Sequence, residues 1–136
     1  TGTFWWAARG VGAFRDEHRL RPPPLDRVRR SDRAYVPSRF HAVGPVAWPG
    51  KVRALGSTAA HLAAAASGAA AVALVAQWRT WDVGCGTLLV SEAGRGIVGL
   101  DGSPGLPTVD GAPFLAGDPL AVEALRAAVL TLVGPR

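Results

Sequence analysis

The chain has 136 residues, 49% of them apolar and 18% charged, which is enough for one hydrophobic core and predicts a folded rather than a disordered chain. Cys85 is the single cysteine, so an intrachain disulfide framework is excluded and a reducing, cytoplasmic setting is the expectation. The formal charge of +5 lies between Arg9 and Arg39, where nine arginines face four acids, and the rest of the chain is balanced. The cluster Arg27, Arg29, Arg30 and Arg33 allows a basic nucleic-acid or anionic-surface binder as a rival reading. Neither interleaved aromatics nor a nucleic-acid motif accompanies it, so a solvated loop face is preferred.

At the start, Phe4-Trp5-Trp6-Ala7-Ala8 reads as a strand, and Arg9 to Phe14 as a glycine turn into a second, making a hairpin. No basic n-region precedes it, so no signal peptide is read. Pro22-Pro23-Pro24 marks a loop. Tyr35-Val36 and Val43 to Trp48 are candidate short strands, and Pro49-Gly50 is a turn. Lys51 to Leu55 alternates polar and apolar residues as a strand does. Ser57 then N-caps an alanine-rich helix over 58–67 that ends near Gly68. The stretch from Ala59 to Ala76 has the length of a membrane span. Its alanine content, with His61, Ser67 and Gly68, predicts a helix followed by a strand over 71–76 instead. Asp82 is read as the N-cap of a helix to Ala93, with Gly94 just past its end. Ile97 to Leu100 and Phe114 to Ala116 are strands. Asp118-Pro119 opens the last helix, to about Val133, with Asp as N-cap and Pro in the first turn. Strands alternating with helices from residue 51 onward predict an α/β layered fold.

Two strand-to-helix junctions could carry chemistry. Gly56-Ser57-Thr58 offers unpaired N–H groups and two hydroxyls at a helix start, where the dipole favours an anion, and glycine permits close approach. Asp82 stands at the second helix start. A carboxylate there can cap the helix, or it can hold Mg²⁺, a hard cation that prefers oxygen ligands.

The order of these pieces resembles one family. Leu55-Gly56-Ser57-Thr58-Ala59-Ala60, then Ala66-Ser67-Gly68, then Trp81-Asp82 and Glu92-Ala93-Gly94 resemble the C-terminal half of the inositol monophosphatase family, whose members are Mg²⁺-dependent, lithium-sensitive phosphomonoesterases. Upstream, Phe4 to Phe14 is similar to the family's F-x-A-x-x-G-x-G-A-F hairpin. Downstream, Leu115-Ala116-Gly117-Asp118-Pro119 resembles its late strand-to-helix junction. The resemblance implies the C-terminal layered half of an αβαβα sandwich, with a mixed sheet flanked by helices and 1–136 as a single partial domain. It implies that Asp82 is a metal ligand that also touches substrate, and that Gly56, Ser57 and Thr58 contact substrate hydroxyls or phosphate. Glu92 is read as structural and Trp81 as a packing residue.

Three departures accompany the resemblance. The family's metal-binding glutamate and its D-P-I/L-D-G-T motif, which belong to the N-terminal half, have no counterpart here. Where inositol-specific members carry a carboxylate that reads a sugar hydroxyl, this chain has Ala71-Val72-Ala73-Leu74-Val75. The W-D-x-A-A-G and E-A-G-G motifs become Trp81-Asp82-Val83-Gly84-Cys85-Gly86 and Glu92-Ala93-Gly94-Arg95. The resulting expectation is part of a bacterial Mg²⁺-dependent phosphatase for a small sugar, polyol or related phosphate. One aspartate cannot complete a Mg²⁺ site, so the chain alone is expected to be inactive. It would need a missing half or partner chain and could self-associate. A non-catalytic structural or regulatory family member is the other reading.

Overall fold

The computed structural model describes residues 2–133. Thr1 and residues 134–136 of the expected 1–136 unit lie outside them. The aromatic start of the chain folds into an antiparallel sheet of β1 (Trp5–Ala8), β2 (Gly12–Arg15) and β3 (His18–Arg19), in that order. Gly10, at φ 77°, makes the turn, and the Val11 N–H donates to the Ala8 carbonyl across it. Alternation along the strands separates two faces. Trp5, Ala7 and Ala13 face the core. Trp6 and Phe14, paired across the strands, stack at 4.2 Å on the other side.

The main sheet has five strands in the order β5-β4-β6-β8-β7. They are β4 (Ala34–Tyr35), β5 (Val52–Arg53), β6 (Val72–Val75), β7 (Gly96–Gly99) and β8 (Phe114–Gly117). β4 runs parallel to both β5 and β6, whereas β8 is inserted antiparallel between β6 and β7. Helix α1 (Thr58–Ser67) crosses from β5 to β6, α2 (Thr80–Glu92) from β6 to β7, and α3 (Pro119–Val133) follows β8.

Every residue of β6 is buried, and the strand feeds two cores. Ala73 and Val75, with Phe114 and Ala116 of β8, meet Leu62, Ala65, Val83 and Val90 of α1 and α2. Val72, Leu74 and Leu115 meet Val122, Leu125 and Val129 of α3. The layers are therefore hairpin sheet, α1 with α2, main sheet, α3. This is the mixed sheet with flanking helices expected from the sequence. Each fully buried Val, Leu or Phe here stabilises the fold by about 1.5–3 kcal/mol.

Small residues set the spacing between α1 and α2. A Cβ on Gly86 would lie 2.5 Å from Leu62 Cδ1 and 2.6 Å from Leu62 Cβ. Gly86 thus stands at the close helix crossing, whereas a Cβ on Gly84 would meet nothing within 4 Å and Cys85 is exposed. Past α2, the Arg95 N–H reaches the Val90 carbonyl and the Gly94 N–H the Ser91 carbonyl, with Gly94 at φ 82°. That is the paired closure of a Schellman motif. The Arg95 guanidinium then donates to the carbonyls of Ala65, Ala70 and Ala71 at 3.1–3.4 Å. Arg95 in place of a glycine thus ties the end of α1 to the entry of β6. Burial lowers its pKa, against the opposing pull of Asp118 and Asp32.

The last helix starts as expected. Asp118 Oδ1 accepts the N–H groups of Leu120 and Ala121, and Oδ2 accepts that of Leu25, from a loop 93 residues away. Three expectations change. Val43 to Trp48 forms no strand; a 3-10 helix at Ser38–Ala42 precedes it, and Gly44, Pro45 and Pro49 deny it a ladder. Its apolar weight goes to Trp48, which enters the α3 core while its indole N–H donates to the Asp32 carbonyl. β5 is only two residues long, because the chain leaves the sheet toward α1 after Arg53. Asp82 is not the N-cap of α2; the helix begins at Thr80, with Arg79 at the N-cap and Asp82 in the third helical position.

Gly86→Val should lower stability by about 2–3 kcal/mol through overpacking of the α1–α2 crossing; chemical denaturation checks this. Asp118→Ala removes a helix cap and strands the Leu25 N–H. A loss of about 3 kcal/mol is expected from the same measurement.

Candidate functional site

Parallel strands deliver their following loops to one edge. β4 leads into Pro37 and Ser38, β5 into Gly56, Ser57 and Thr58, and β6 into Ala76 and Gln77. α1 and α2 both open at this edge, because each follows one of the parallel strands. Ligands of α/β sheets bind outside such carboxyl ends. Here Pro37, Ser38, Gly56, Ser57, Thr58, His61, Leu74, Val75 and Ala76 enclose a cleft of about 140 Å³. A wider hollow of about 360 Å³ continues it past Pro37, Ser38 and Ala76 to Arg39, Phe40, Val43 and Gln77. Gln77 sits at φ 55°, a left-handed conformation unusual for a side-chain-bearing residue.

Gly56, Ser57 and Thr58 lie side by side in the lining of the cleft. Gly56 has φ 74°, and a Cβ there would meet only Ser38 Oγ, at 3.9 Å. Glycine is therefore needed for the backbone turn, and the space beside it is open. Ser57 is extended and its Oγ accepts the Ala60 N–H at 3.2 Å, which caps α1. Among the described residues the Thr58 and Ala59 amides have no acceptor. The helix start thus keeps donors for a ligand.

His61 also lines the cleft, and sequence reasoning did not select it. Its side chain is 4% exposed, its ring packs edge-on to Tyr35 at 5.1 Å, and its Nε2 accepts the Leu55 N–H at 2.9 Å. Nε2 is therefore the unprotonated nitrogen and Nδ1 carries the hydrogen. Burial pushes its pKa below the ordinary 6.5. The available signal was positional: a histidine four residues after an N-cap serine can reach back over the loop it follows.

Asp82 is exposed and stands at the α2 start, outside the cleft lining. Its Oδ2 accepts the Arg79 N–H at 2.9 Å, and its own N–H donates to the Arg79 carbonyl. Oδ1 takes no hydrogen bond among the described residues. Trp81 does not pack. It is 81% exposed and has the Arg79 guanidinium over its ring at 6.0 Å. The reason is helical phase: Val83, Gly86, Leu89 and Val90 take the buried stripe of α2, and Trp81 falls off it. Glu92 is structural in effect, since its Oε2 accepts the Gly10 N–H and holds the hairpin to α2. In the arginine cluster, Arg29 pairs with Asp26 at 2.6 Å, while Arg27, Arg30 and Arg33 are exposed.

The residues present do not make a Mg²⁺ site unaided. Among the described residues no three His, Cys, Asp or Glu side chains gather as a metal cluster. Mg²⁺ demands near-octahedral oxygen coordination. Asp82, with one carboxylate oxygen unengaged, fits as a single ligand. Among the described residues no helix is long and apolar enough to cross a membrane.

The model of the inositol monophosphatase family matches residues 1–131. Solved structures share the fold. An inositol monophosphatase from Anabaena (Nostoc) sp. PCC 7120 is 22% identical with a TM-score of 0.76, over 95% of this chain and 57% of that one. The extragenic suppressor protein suhB from Bartonella henselae is 24% identical with a TM-score of 0.79, over 93% and 52%. A staphylococcal inositol monophosphatase-II holding inositol monophosphate is 19% identical with a TM-score of 0.73, over 96% and 56%. The chain thus spans about half the length of the solved structures it matches. A search of curated proteins returns no match.

Ser57→Ala should cost about 1 kcal/mol through loss of the α1 cap. Thermal unfolding measures it, and an unchanged midpoint would show that the cap contributes nothing.

Proposed function

Because the chain belongs to the inositol monophosphatase family, we propose that it forms the substrate-contacting part of a Mg²⁺-dependent phosphomonoesterase acting on a small sugar, polyol or related phosphate. The observation that carries this is the cleft at the carboxyl ends of β4, β5 and β6, walled by Gly56, Ser57 and Thr58 at the start of α1. Free backbone amides there suit phosphate or hydroxyl oxygens. Asp82 contributes one metal ligand through Oδ1. The co-ligands come from another segment of the full-length protein or from a partner chain. Bound Mg²⁺ would supply charge neutralisation at the phosphate and activation of the attacking water.

The ligands held by fold relatives support this class of substrate. Staphylococcal inositol monophosphatase-II has been captured with inositol monophosphate and with 2'AMP, so phosphate esters of quite different alcohols suit this architecture. In this chain the apolar Val75 lines the cleft where inositol-specific members present a carboxylate. That wall reads no hydroxyl, which favours esters other than inositol phosphate. The lone exposed thiol of Cys85 suits a reducing cytoplasm.

The test is phosphate release from a panel of sugar, polyol and nucleotide monophosphates, with and without Mg²⁺. The full-length protein should be active only with Mg²⁺, and the 136-residue chain alone inactive. Asp82→Asn in the full-length protein should lower the rate by about a hundredfold or more, the loss of several kcal/mol of charge stabilisation. Full activity in that variant would remove Asp82 from the metal site. Absence of Mg²⁺-dependent release from the full-length protein would favour a non-catalytic, structural role.

A further inference from the structure

The substrate loop is pinned on both sides of its glycine. After Gly56, the Ser57 hydroxyl holds the Ala60 N–H. Before it, the His61 ring holds the Leu55 N–H at 2.9 Å. Both anchors belong to the first turns of α1, so the loop and the helix start move as one piece. Leu55 cannot anchor itself by packing, because its side chain is 57% exposed and β5 ended two residues earlier. The hydrogen bond to His61 is thus the tie that keeps the segment before Gly56 against the cleft.

We propose that His61 is a positioning residue for the Gly56–Ser57–Thr58 segment, and that the segment is held in place only while the His61 Nε2 is unprotonated. The inference rests on the reading of that segment as the substrate-contacting one. Its chemistry is that of one nitrogen. Neutral, Nε2 is an acceptor and fits the Leu55 N–H. Protonated, it becomes a donor facing a donor, and a part-buried N–H loses its only acceptor. The loop must then move away from the ring.

Among the described residues the surroundings do not supply a counter-charge. Tyr35 of β4 is the titratable group against the ring. The other cleft neighbours, Ser38, Ser57, Thr58 and Val75, are uncharged. Burial alone displaces the imidazole from its usual value of 6.5, and the displacement is downward. The released loop therefore binds the proton more readily than the held one. The stabilisation is complete above pH 6.5 and is lost as pH falls from there through the lower value of the held state.

Amide hydrogen exchange at Leu55 in the full-length protein tests this, with rates corrected for the intrinsic pH dependence. Protection should fall by about tenfold per pH unit once His61 titrates. In His61→Gln the amide oxygen keeps an acceptor that does not titrate, so protection should persist and stay flat from pH 5 to 8. A pH-independent protection in the wild type, or the same fall in the Gln variant, overturns the proposal. The second arm is the KM for a phosphate ester, which should rise on acidification in the wild type and not in the Gln variant, with kcat moving in parallel in both. A KM that falls on acidification in the wild type alone would make His61 a cationic phosphate ligand and overturn the positioning role. If the full-length protein hydrolyses no ester, the functional reading fails while the exchange data still decide whether His61 holds the loop.

Discussion

Burial of β6 on both faces is the constraint on which the rest of the structure depends. Val72 and Leu74 leave the strand toward α3, Ala73 and Val75 toward α1 and α2. A shift of one residue would exchange those sets and put small side chains where large ones are needed. The pairing with β8 repeats the division, with Leu115 on one side and Phe114 and Ala116 on the other. The layer order follows from this. So does the height at which the chain leaves the strand at Ala76, which fixes where the cleft begins.

The cleft is in turn a product of strand direction. β4, β5 and β6 are parallel, so three loops and two helix starts converge at one edge. The convergence brings chemically different things together: a glycine-serine-threonine turn, a buried histidine, and an apolar wall at Val75. Asp82 shares the edge without sharing the cleft. Its carboxylate is half committed to the Arg79 amide and half uncommitted, at a helix start marked by an unpacked indole.

Much of this was legible in the residues. The cap at Ser57, the Asp118-Pro119 helix start, the glycine after α2 and the hairpin each depend on local chemistry that one residue type announces. The start of α2 is not announced by the sequence because the residue at its N-cap, Arg79, is not a capping type, whereas Asp82 is. Its side chain performs the reciprocal half of a cap from inside the helix. The run ending in Trp48 misled for a different reason. Hydrophobic content reports burial, and burial there is met by one indole rather than by a paired strand. Ser38 and His61 were missed as cleft residues because their role arises from where β4 and α1 lie in space. A packing role for Trp81 fits its residue type, and only the helical phase of α2 places it in solvent.

The strand that closes the main sheet between β6 and β7 is also the last strand among the described residues. During synthesis β4, β5, β6 and the first two helices are all made before Phe114–Gly117. Until then β6 has an open edge with apolar side chains on both of its faces, the kind of edge that invites pairing with another chain. Contacts across some forty residues must then form late, and loop closure over such distances is slow. The nascent protein therefore passes through an interval in which its most apolar strand is half paired, and shielding by a chaperone in that interval would raise its yield.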